Sequence, residues 1–273
     1  MILATVVSEY ADRVHYYPRV ESVSVKSFLL ALLLSFVAIF SSAQANADLT
    51  ITQPNKSLIL ATSEGPPYMI RDPLGGLDIE TVVSSLEQQG YQVQVQFMSL
   101  HRAVAELQMK RVDVIVPSFA PDQADLYTGD PHILYHPTLF SLKSNPVTLT
   151  SIDDLKHYRL ATFQGAGGYF GSAFIQACEQ APEYYEHRDM SRLIDLLINQ
   201  RTDLVLLDRR IFHYFYQQSG FKKAITEYHH IFNDVPAMPV FNNPAIRDDY
   251  NQGLKDIKKL GIYQQIMEKY GHQ

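Results

Sequence analysis

The feature that most constrains this fold is an alternation of short apolar runs with segments of helical period. The apolar runs at 58–61 and 112–116 and the alternation of Val93, Val95 and Phe97 are typical of strands, and apolar residues recur at helical spacing over 79–86 and 100–107 between them. The order strand, helix, strand, helix, strand predicts an α/β lobe with a mainly parallel sheet.

The same alternation begins again after residue 150. Strands are predicted at 160–163 and 204–207, with a glycine-rich turn at 165–171 and helical patterns at 174–178 and 193–197 between them. Asp208 directly follows the last of these strands. We therefore predict a second α/β lobe, followed by one terminal helix that carries apolar residues from Leu254 to Tyr270.

The N-terminal region predicts export. Residues 28–40 carry no charge, Lys26 precedes them, and Ala45 and Ala47 form an A-x-A cleavage site. Since a membrane-spanning helix takes roughly 20 apolar residues, we expect a signal peptide cleaved after about Ala47, with an uncleaved anchor as the alternative. The mature protein is then periplasmic, without stable membrane insertion. Residues 1–25 fit a signal peptide poorly and suggest an over-extended start, with residues 1–47 outside the fold.

Composition and spacing exclude several classes of function. The chain has 23 basic and 29 acidic residues, which argues against nucleic acid as a partner. The single cysteine, Cys178, has no internal disulfide partner, and we interpret it as a small buried hydrophobe. His229 and His230 are adjacent, so regular structure would direct them apart. We predict no metal, no cofactor and no catalytic residue.

Six short motifs, in order, resemble the bacterial extracellular solute-binding proteins of the amino-acid-binding class, family 3, which serve ABC importers. They read GPPY at 65–68, GLDIE at 76–80, KRVDVIV at 110–116, IDDLKHYRLATFQG at 152–165, RTDLVLLDRRIFHYF at 201–215 and LGIYQQIMEKYG at 260–271. The resemblance implies a periplasmic-binding-protein-like (type II) fold, in which two α/β lobes are joined by a two-strand hinge.

The resemblance also implies domain boundaries and a function. Lobe one would comprise 48–141 plus 239–273 and lobe two 142–238, with crossings near 141–146 and 234–239. Such a Venus flytrap would capture a small polar solute, an amino acid or a related nitrogenous compound, as a monomer and deliver it to ABC permease subunits. Two alternatives share the fold: a periplasmic, dehydratase-like enzyme that acts on a small carboxylate, and a ligand-sensing partner of a membrane receptor.

Ligand-contacting positions follow from the same resemblance. Asp208 would bind a ligand ammonium, with a helix N-cap as its alternative role. Tyr68 would form an aromatic wall, exposed by the two prolines before it. Gln123 stands near the position where the family has an arginine for the ligand carboxylate, so the usual amino-acid pose is in doubt. The remaining predicted positions are Glu64, Arg102, Ser118, Phe119, Gly165, Ala166 and Gly167.

Some of these positions have equally ordinary structural explanations. Glu64 and Arg102 would both be solvated surface residues in that case. The backbone N–H groups around Gly165 would form an anion site, or the glycines there would only permit a tight turn. In the enzyme alternative, Glu64 and Asp208 would act as acid and base.

Overall fold

Two mixed β-sheets with associated helices make up the described part of the protein. The computed structural model describes residues 56–118 and 125–271, which belong to one compact unit, 53–273. The predicted signal peptide, Phe119 and Gln123 lie outside the described residues.

The secondary-structure elements are numbered in chain order. The strands are β1 (Lys56–Thr62), β2 (Tyr91–Phe97), β3 (Val114–Ser118), β4 (Tyr127–Thr128), β5 (Ile133–Tyr135), β6 (Pro137–Leu142), β7 (Leu160–Phe163), β8 (Tyr184–His187), β9 (Leu204–Asp208), β10 (Ile225–Tyr228) and β11 (Val235–Phe241). The α-helices are α1 (Leu77–Glu87), α2 (Leu100–Gln108), α3 (Ala166–Phe170), α4 (Ser172–Glu179), α5 (Ser191–Ile198), α6 (Arg209–Ser219), α7 (Pro244–Lys259) and α8 (Ile262–Gly271). A 3-10 helix spans Ile152–His157.

The first sheet combines the predicted N-terminal strands with a strand from near the C-terminus. Its order is β2-β1-β3-β11-β4, and β5 also pairs with β11. The predicted strands β1, β2 and β3 are parallel, whereas β11 is antiparallel to its neighbours. Strand β3 is buried along its whole length, which explains its apolar composition.

The second sheet has the order β10-β6-β9-β7-β8. Strand β7 is parallel to both β8 and β9, and β6 joins the sheet antiparallel to β9. The apolar run 204–207 lies in the fully buried strand β9, and helix α6 begins directly after it. The α/β class and the second lobe predicted from the sequence are therefore confirmed.

The chain changes sheet twice. It leaves the first sheet after β5 and enters the second with β6, so this crossing lies at His136; it returns between β10 and β11. The predicted lobe boundaries at 141/142 and 238/239 remain predictions. Sheet membership favours a first crossing at His136, ahead of the predicted 141–146.

The predicted single terminal helix is wrong. The structure has two helices, α7 and α8, and Gly261 lies between them with a φ of 78°. This left-handed conformation suits glycine, which is common where helices end. The apolar pattern from Leu254 to Tyr270 continued across the break because both helices bury residues.

Buried side chains join the two sheets. One hydrophobic cluster contains Tyr68 and Leu77 next to the first sheet, together with Phe140 and Phe212 at the second. The rings of Phe140 and Phe212 stack with centroids 3.6 Å apart. Cys178 is buried in a separate cluster, as predicted, and burial raises the pKa of its thiol to about 12.

Candidate functional site

A hydrogen bond joins the two sheets at the end of strand β9. The Tyr68 hydroxyl, on the loop between β1 and α1, donates to Asp208 Oδ1 over 2.9 Å. The tyrosine is 0% exposed and Asp208 7%. The predicted exposure of Tyr68 is wrong, because its ring stacks on Tyr135 with centroids 4.0 Å apart. The loop therefore directs this ring between the sheets.

Gly76 fixes the position of the Tyr68 backbone. It precedes α1 with a φ of 112°, and a Cβ there would lie only 2.3 Å from the Tyr68 carbonyl oxygen. Leu77 and Asp78 donate their backbone N–H groups to the carbonyls of Pro67 and Tyr68. A side chain at position 76 would displace the loop that presents Tyr68.

Asp208 is fully hydrogen-bonded. Its Oδ1 accepts the Tyr68 hydroxyl and the backbone N–H groups of Arg210 (2.8 Å) and Ile211 (3.2 Å), and its Oδ2 accepts the N–H of His136 (2.7 Å). These four donors equal in number the roughly four acceptor sites of a carboxylate, although three of them share Oδ1. The N-cap role is confirmed, and ligand binding by Asp208 remains a prediction. Desolvation raises the pKa of Asp208 although each of these hydrogen bonds lowers it.

A second carboxylate, that of Asp78, fixes the position of Tyr68 through Tyr135. Asp78 is fully buried and accepts the Tyr135 hydroxyl (2.6 Å) on one oxygen and lies 3.0 Å from His132 Nε2 on the other. Since Tyr135 stacks on Tyr68, the hydrogen bond from Tyr135 to Asp78 fixes the ring against which Tyr68 packs. Asp78 lies within the motif at 76–80, and its position beside the buried Ile79 and Val82 gave no signal in the sequence that its carboxylate is buried too.

The predicted anion site at the glycine-rich turn is occupied by the chain's own Glu186. The N–H groups of Gly165 and Gly167 donate to the Glu186 carboxylate over 2.7 and 3.1 Å, and the Tyr184 hydroxyl donates over 2.7 Å. The pKa of Glu186 lies below its usual value: partial desolvation acts to raise it, and these three hydrogen bonds outweigh that effect. The side chain of Ala166 adds no polar group.

Three other predicted positions have simple surroundings. Glu64, half exposed, pairs with Arg71 at 3.4 Å, and Arg102, also exposed, pairs with Glu106 at 3.5 Å. Both side chains are solvated surface residues, as the structural alternative for each position predicted. Ser118 is buried at the end of β3, paired with β11. Among the described residues no hydrogen bond or ion pair joins Glu64 to Asp208, and the acid–base pair of the enzyme alternative remains a prediction.

Arg210 is a residue that the sequence analysis missed. It follows Asp208 by two positions, and its Nη1 lies 3.4 Å from both the Tyr68 hydroxyl and the Leu134 carbonyl oxygen. Only its place within the motif at 201–215, two positions after Asp208, could have signalled it. Within residues 56–118 and 125–271, no helix is long and apolar enough to span a membrane, and no cluster of histidine, cysteine or acidic residues is arranged to hold a metal.

The fold and this site define a class. A first sheet assembled from both ends of the chain, a second sheet inserted between them, and an acidic residue between the two are the features of a type II periplasmic-binding-protein-like fold. The chain belongs to the bacterial extracellular solute-binding proteins, family 3, whose profile matches residues 58–273. This confirms the family suggested by the six motifs.

Similar proteins support the same fold. The arginine-binding extracellular protein ArtP of Bacillus subtilis (strain 168) is 22% identical over 264 residues, which cover 90% of this chain and 98% of ArtP. The GluR0 ligand-binding core from Nostoc punctiforme, in complex with L-glutamate, is 19% identical with a TM-score of 0.64, covering 78% of this chain and 98% of that one. A histidine kinase sensor domain similar to periplasmic binding proteins is 15% identical with a TM-score of 0.66, covering 79% and 96%.

Proposed function

We propose that this protein captures a small polar solute between its two lobes, an amino acid or a related nitrogenous compound, and delivers it to an ABC importer. Asp208 would accept the ligand's ammonium group. The observation that carries the proposal is the buried hydrogen bond between Tyr68 and Asp208. It lies where the two sheets meet and at the carboxyl end of a strand, which is where open α/β sheets hold ligands.

Tyr68 is the exchangeable partner of Asp208. The other three donors are backbone N–H groups: those of Arg210 and Ile211 follow strand β9 of the second sheet, and that of His136 lies at the crossing, directly before β6. Tyr68 belongs to the first sheet's side, so it would leave when the lobes open about the two crossing segments. An ammonium group could then replace a neutral hydroxyl by a charge-assisted hydrogen bond, which is roughly twice as strong.

The carboxylate end of an amino-acid ligand has less support. Gln123 is neutral, and the N–H groups of Gly165 and Gly167 already bind Glu186. The amine end is therefore the group that this site recognises best, and related nitrogenous compounds enter the proposal alongside amino acids. The arginine named for ArtP and the glutamate bound to the GluR0 core are natural first ligands to test.

A thermal-shift screen tests the proposal. Amino acids, polyamines, opines and dicarboxylates are added to the purified protein, and a specific ligand raises the melting temperature by mass action. Calorimetry then compares the native protein with Asp208→Asn, which should bind the best ligand at least about tenfold more weakly. Asp195→Asn, an exposed acid on α5, is the matched control and should bind normally.

Two results contradict this function. One is a screen in which no solute raises the melting temperature of the native protein. The other is an Asp208→Asn protein that binds as tightly as the native one. Turnover of a solute during the screen would favour the enzyme alternative over transport.

Localisation and partners belong to the same proposal. We infer a periplasmic monomer released after cleavage near Ala47, which N-terminal sequencing and sizing of the native protein would test. The likeness to a histidine kinase sensor domain favours the sensing alternative as second candidate. Co-purification with a permease would support transport, and co-purification with a membrane kinase would support sensing.

A further inference from the structure

A pocket lies beside Arg210, next to the first crossing between the sheets. Its volume is about 360 Å³, within the range of small-molecule sites. Residues of the segment 131–136, Arg210 of helix α6, and Tyr263 and Met267 of helix α8 line it. The pocket thus combines one residue that follows the second sheet with a segment and a helix that belong to the first.

Most of the Arg210 guanidinium is without a hydrogen-bond partner. A guanidinium has five N–H donors, and in the described chain only Nη1 has acceptors, the Tyr68 hydroxyl and the Leu134 carbonyl, both at 3.4 Å. Charge-assisted hydrogen bonds are typically 2.7–2.9 Å long. Arg210 forms no direct ion pair with any described residue; Asp208 acts on its charge only at longer range. The remaining N–H groups of its guanidinium are available to an anion.

The acids near the pocket already have their own partners. Asp208 accepts four hydrogen bonds, Asp78 is hydrogen-bonded to His132 and Tyr135, and Asp234 is hydrogen-bonded to His136 Nδ1 at 2.8 Å. None of these carboxylates pairs with the remaining N–H groups of the Arg210 guanidinium.

The remaining walls are mostly apolar. Ile133, Leu134 and Met267 contribute aliphatic or thioether groups. The Tyr263 hydroxyl donates to the His132 carbonyl oxygen over 2.7 Å, so this residue offers mainly its ring. One cation in an apolar pocket suits a ligand with one negative end and an apolar body.

We propose that this pocket is a second binding site, which takes a small monocarboxylate with an apolar body. The carboxylate binds Arg210 through two parallel N–H···O hydrogen bonds, and the body packs against Leu134, Met267 and the Tyr263 ring. The site adjoins the solute site, since Arg210 Nη1 lies 3.4 Å from the Tyr68 hydroxyl, but it recognises the opposite charge and is tested independently of solute capture at Asp208.

Calorimetry with benzoate and butyrate tests the site, against benzyl alcohol and n-butylamine as uncharged and cationic probes of matched size. The native protein should bind the two carboxylates saturably and neither matched probe. Arg210→Gln should weaken carboxylate binding at least about tenfold, and Arg210→Lys less, because lysine keeps the charge without the planar fork. Arg192→Gln, an exposed arginine on α5, is the matched control and should bind normally.

A second variant covers a fold defect in Arg210→Gln. Met267→Glu places a negative charge on a half-buried position of α8 and should abolish carboxylate binding. Failure of the native protein to bind either carboxylate overturns the proposal, as does unchanged binding by both variants. Loss of carboxylate binding in Asp208→Asn as well would place the anion in the main cleft and also overturn it.

Discussion

Asp208 and Glu186 are two carboxylates of the second sheet with similar hydrogen bonds and opposite pKa shifts. Each accepts backbone N–H groups at the start of a helix and one tyrosine hydroxyl. Burial nevertheless raises the pKa of Asp208, whereas the hydrogen bonds lower that of Glu186. The two differ mainly in solvent access, since Asp208 is buried and Glu186 is exposed.

The comparison shows that hydrogen-bond donors alone do not set the charge of a site. Around Asp208 the lost hydration outweighs four donors, so the carboxylate still favours an added cation or proton. Around Glu186 water remains, and three donors suffice to stabilise the anion. Burial therefore makes Asp208 the acid that gains more from a neighbouring cation, whereas Glu186 accepts the N–H groups of the glycine-rich turn.

Removal of Asp208 should have the largest effect. Asp208→Ala leaves three backbone N–H groups and the Tyr68 hydroxyl without an acceptor, and we expect the free energy of unfolding to fall by about 3 kcal/mol. Urea denaturation measures it. Asp208→Asn keeps the cap but turns a donor toward the His136 N–H, so it should lose less. A loss below about 1 kcal/mol in the alanine variant would show that the buried acid is not a structural hub.

Tyr68→Phe should have the next largest effect. The variant keeps the stack on Tyr135 and removes one donor to Asp208, which should cost about 1 kcal/mol of unfolding free energy. The same variant should bind an ammonium ligand more tightly, because no hydroxyl has to be displaced. Tyr91→Phe, which removes a hydroxyl bonded to Asp249 far from this site, is the control and should not change ligand affinity. Unchanged or weaker ligand binding in Tyr68→Phe would contradict the exchange of Tyr68 for ligand.

Removal of Glu186 should have a smaller effect. Solvent screens this exposed carboxylate, so Glu186→Ala should lower the free energy of unfolding by only about 0.5 kcal/mol. Glu186→Gln keeps acceptor oxygen and should lose less still. A loss as large as that of Asp208→Ala would remove the contrast between the two acids.

The pH dependence of stability should have opposite signs at the two sites. Asp208 has a raised folded pKa, so its contribution to stability is greatest below the unfolded pKa of about 3.9 and falls as the pH rises through the folded pKa. Glu186 has a lowered folded pKa, so its contribution is present above about pH 4.3 and is lost as the pH falls through the folded pKa.

Unfolding curves over a series of pH values check these signs. The difference in unfolding free energy between the native protein and Asp208→Asn should decrease as the pH rises. The corresponding difference between the native protein and Glu186→Gln should decrease as the pH falls. Parallel curves for either pair would show that the acid in question does not change its proton affinity on folding.

Local patterns predicted the elements of both sheets that have an apolar run or a regular alternation of apolar and polar residues. Strands β1, β2, β7 and β9 lie at their predicted places. The segment 127–142 was missed because prolines interrupt its short strands.

The candidate site was harder to predict because its contacts are distant in sequence. Tyr68 and Asp208 are 140 positions apart, so the rule that prolines expose the next residue could not anticipate the burial of Tyr68. Glu186 binds the N–H of Gly165, which lies 21 positions earlier in the chain. Glu186 itself lies on strand β8, which was not predicted from the sequence. The end of the apolar run 204–207 placed Asp208 at a helix start, where it is the N-cap of α6, but its other partners depend on how the two sheets pack.

The interrupted first sheet has a consequence for the order in which the protein matures. Strands β6 to β10 come from one continuous stretch, whereas β3 needs β11 as its neighbour from much later in the chain. During synthesis from the N-terminus, the inserted half can therefore complete its sheet first, since domains tend to fold as units. The outer half must wait until β11 has emerged, and until then the edge of β3 that pairs with β11 stays open.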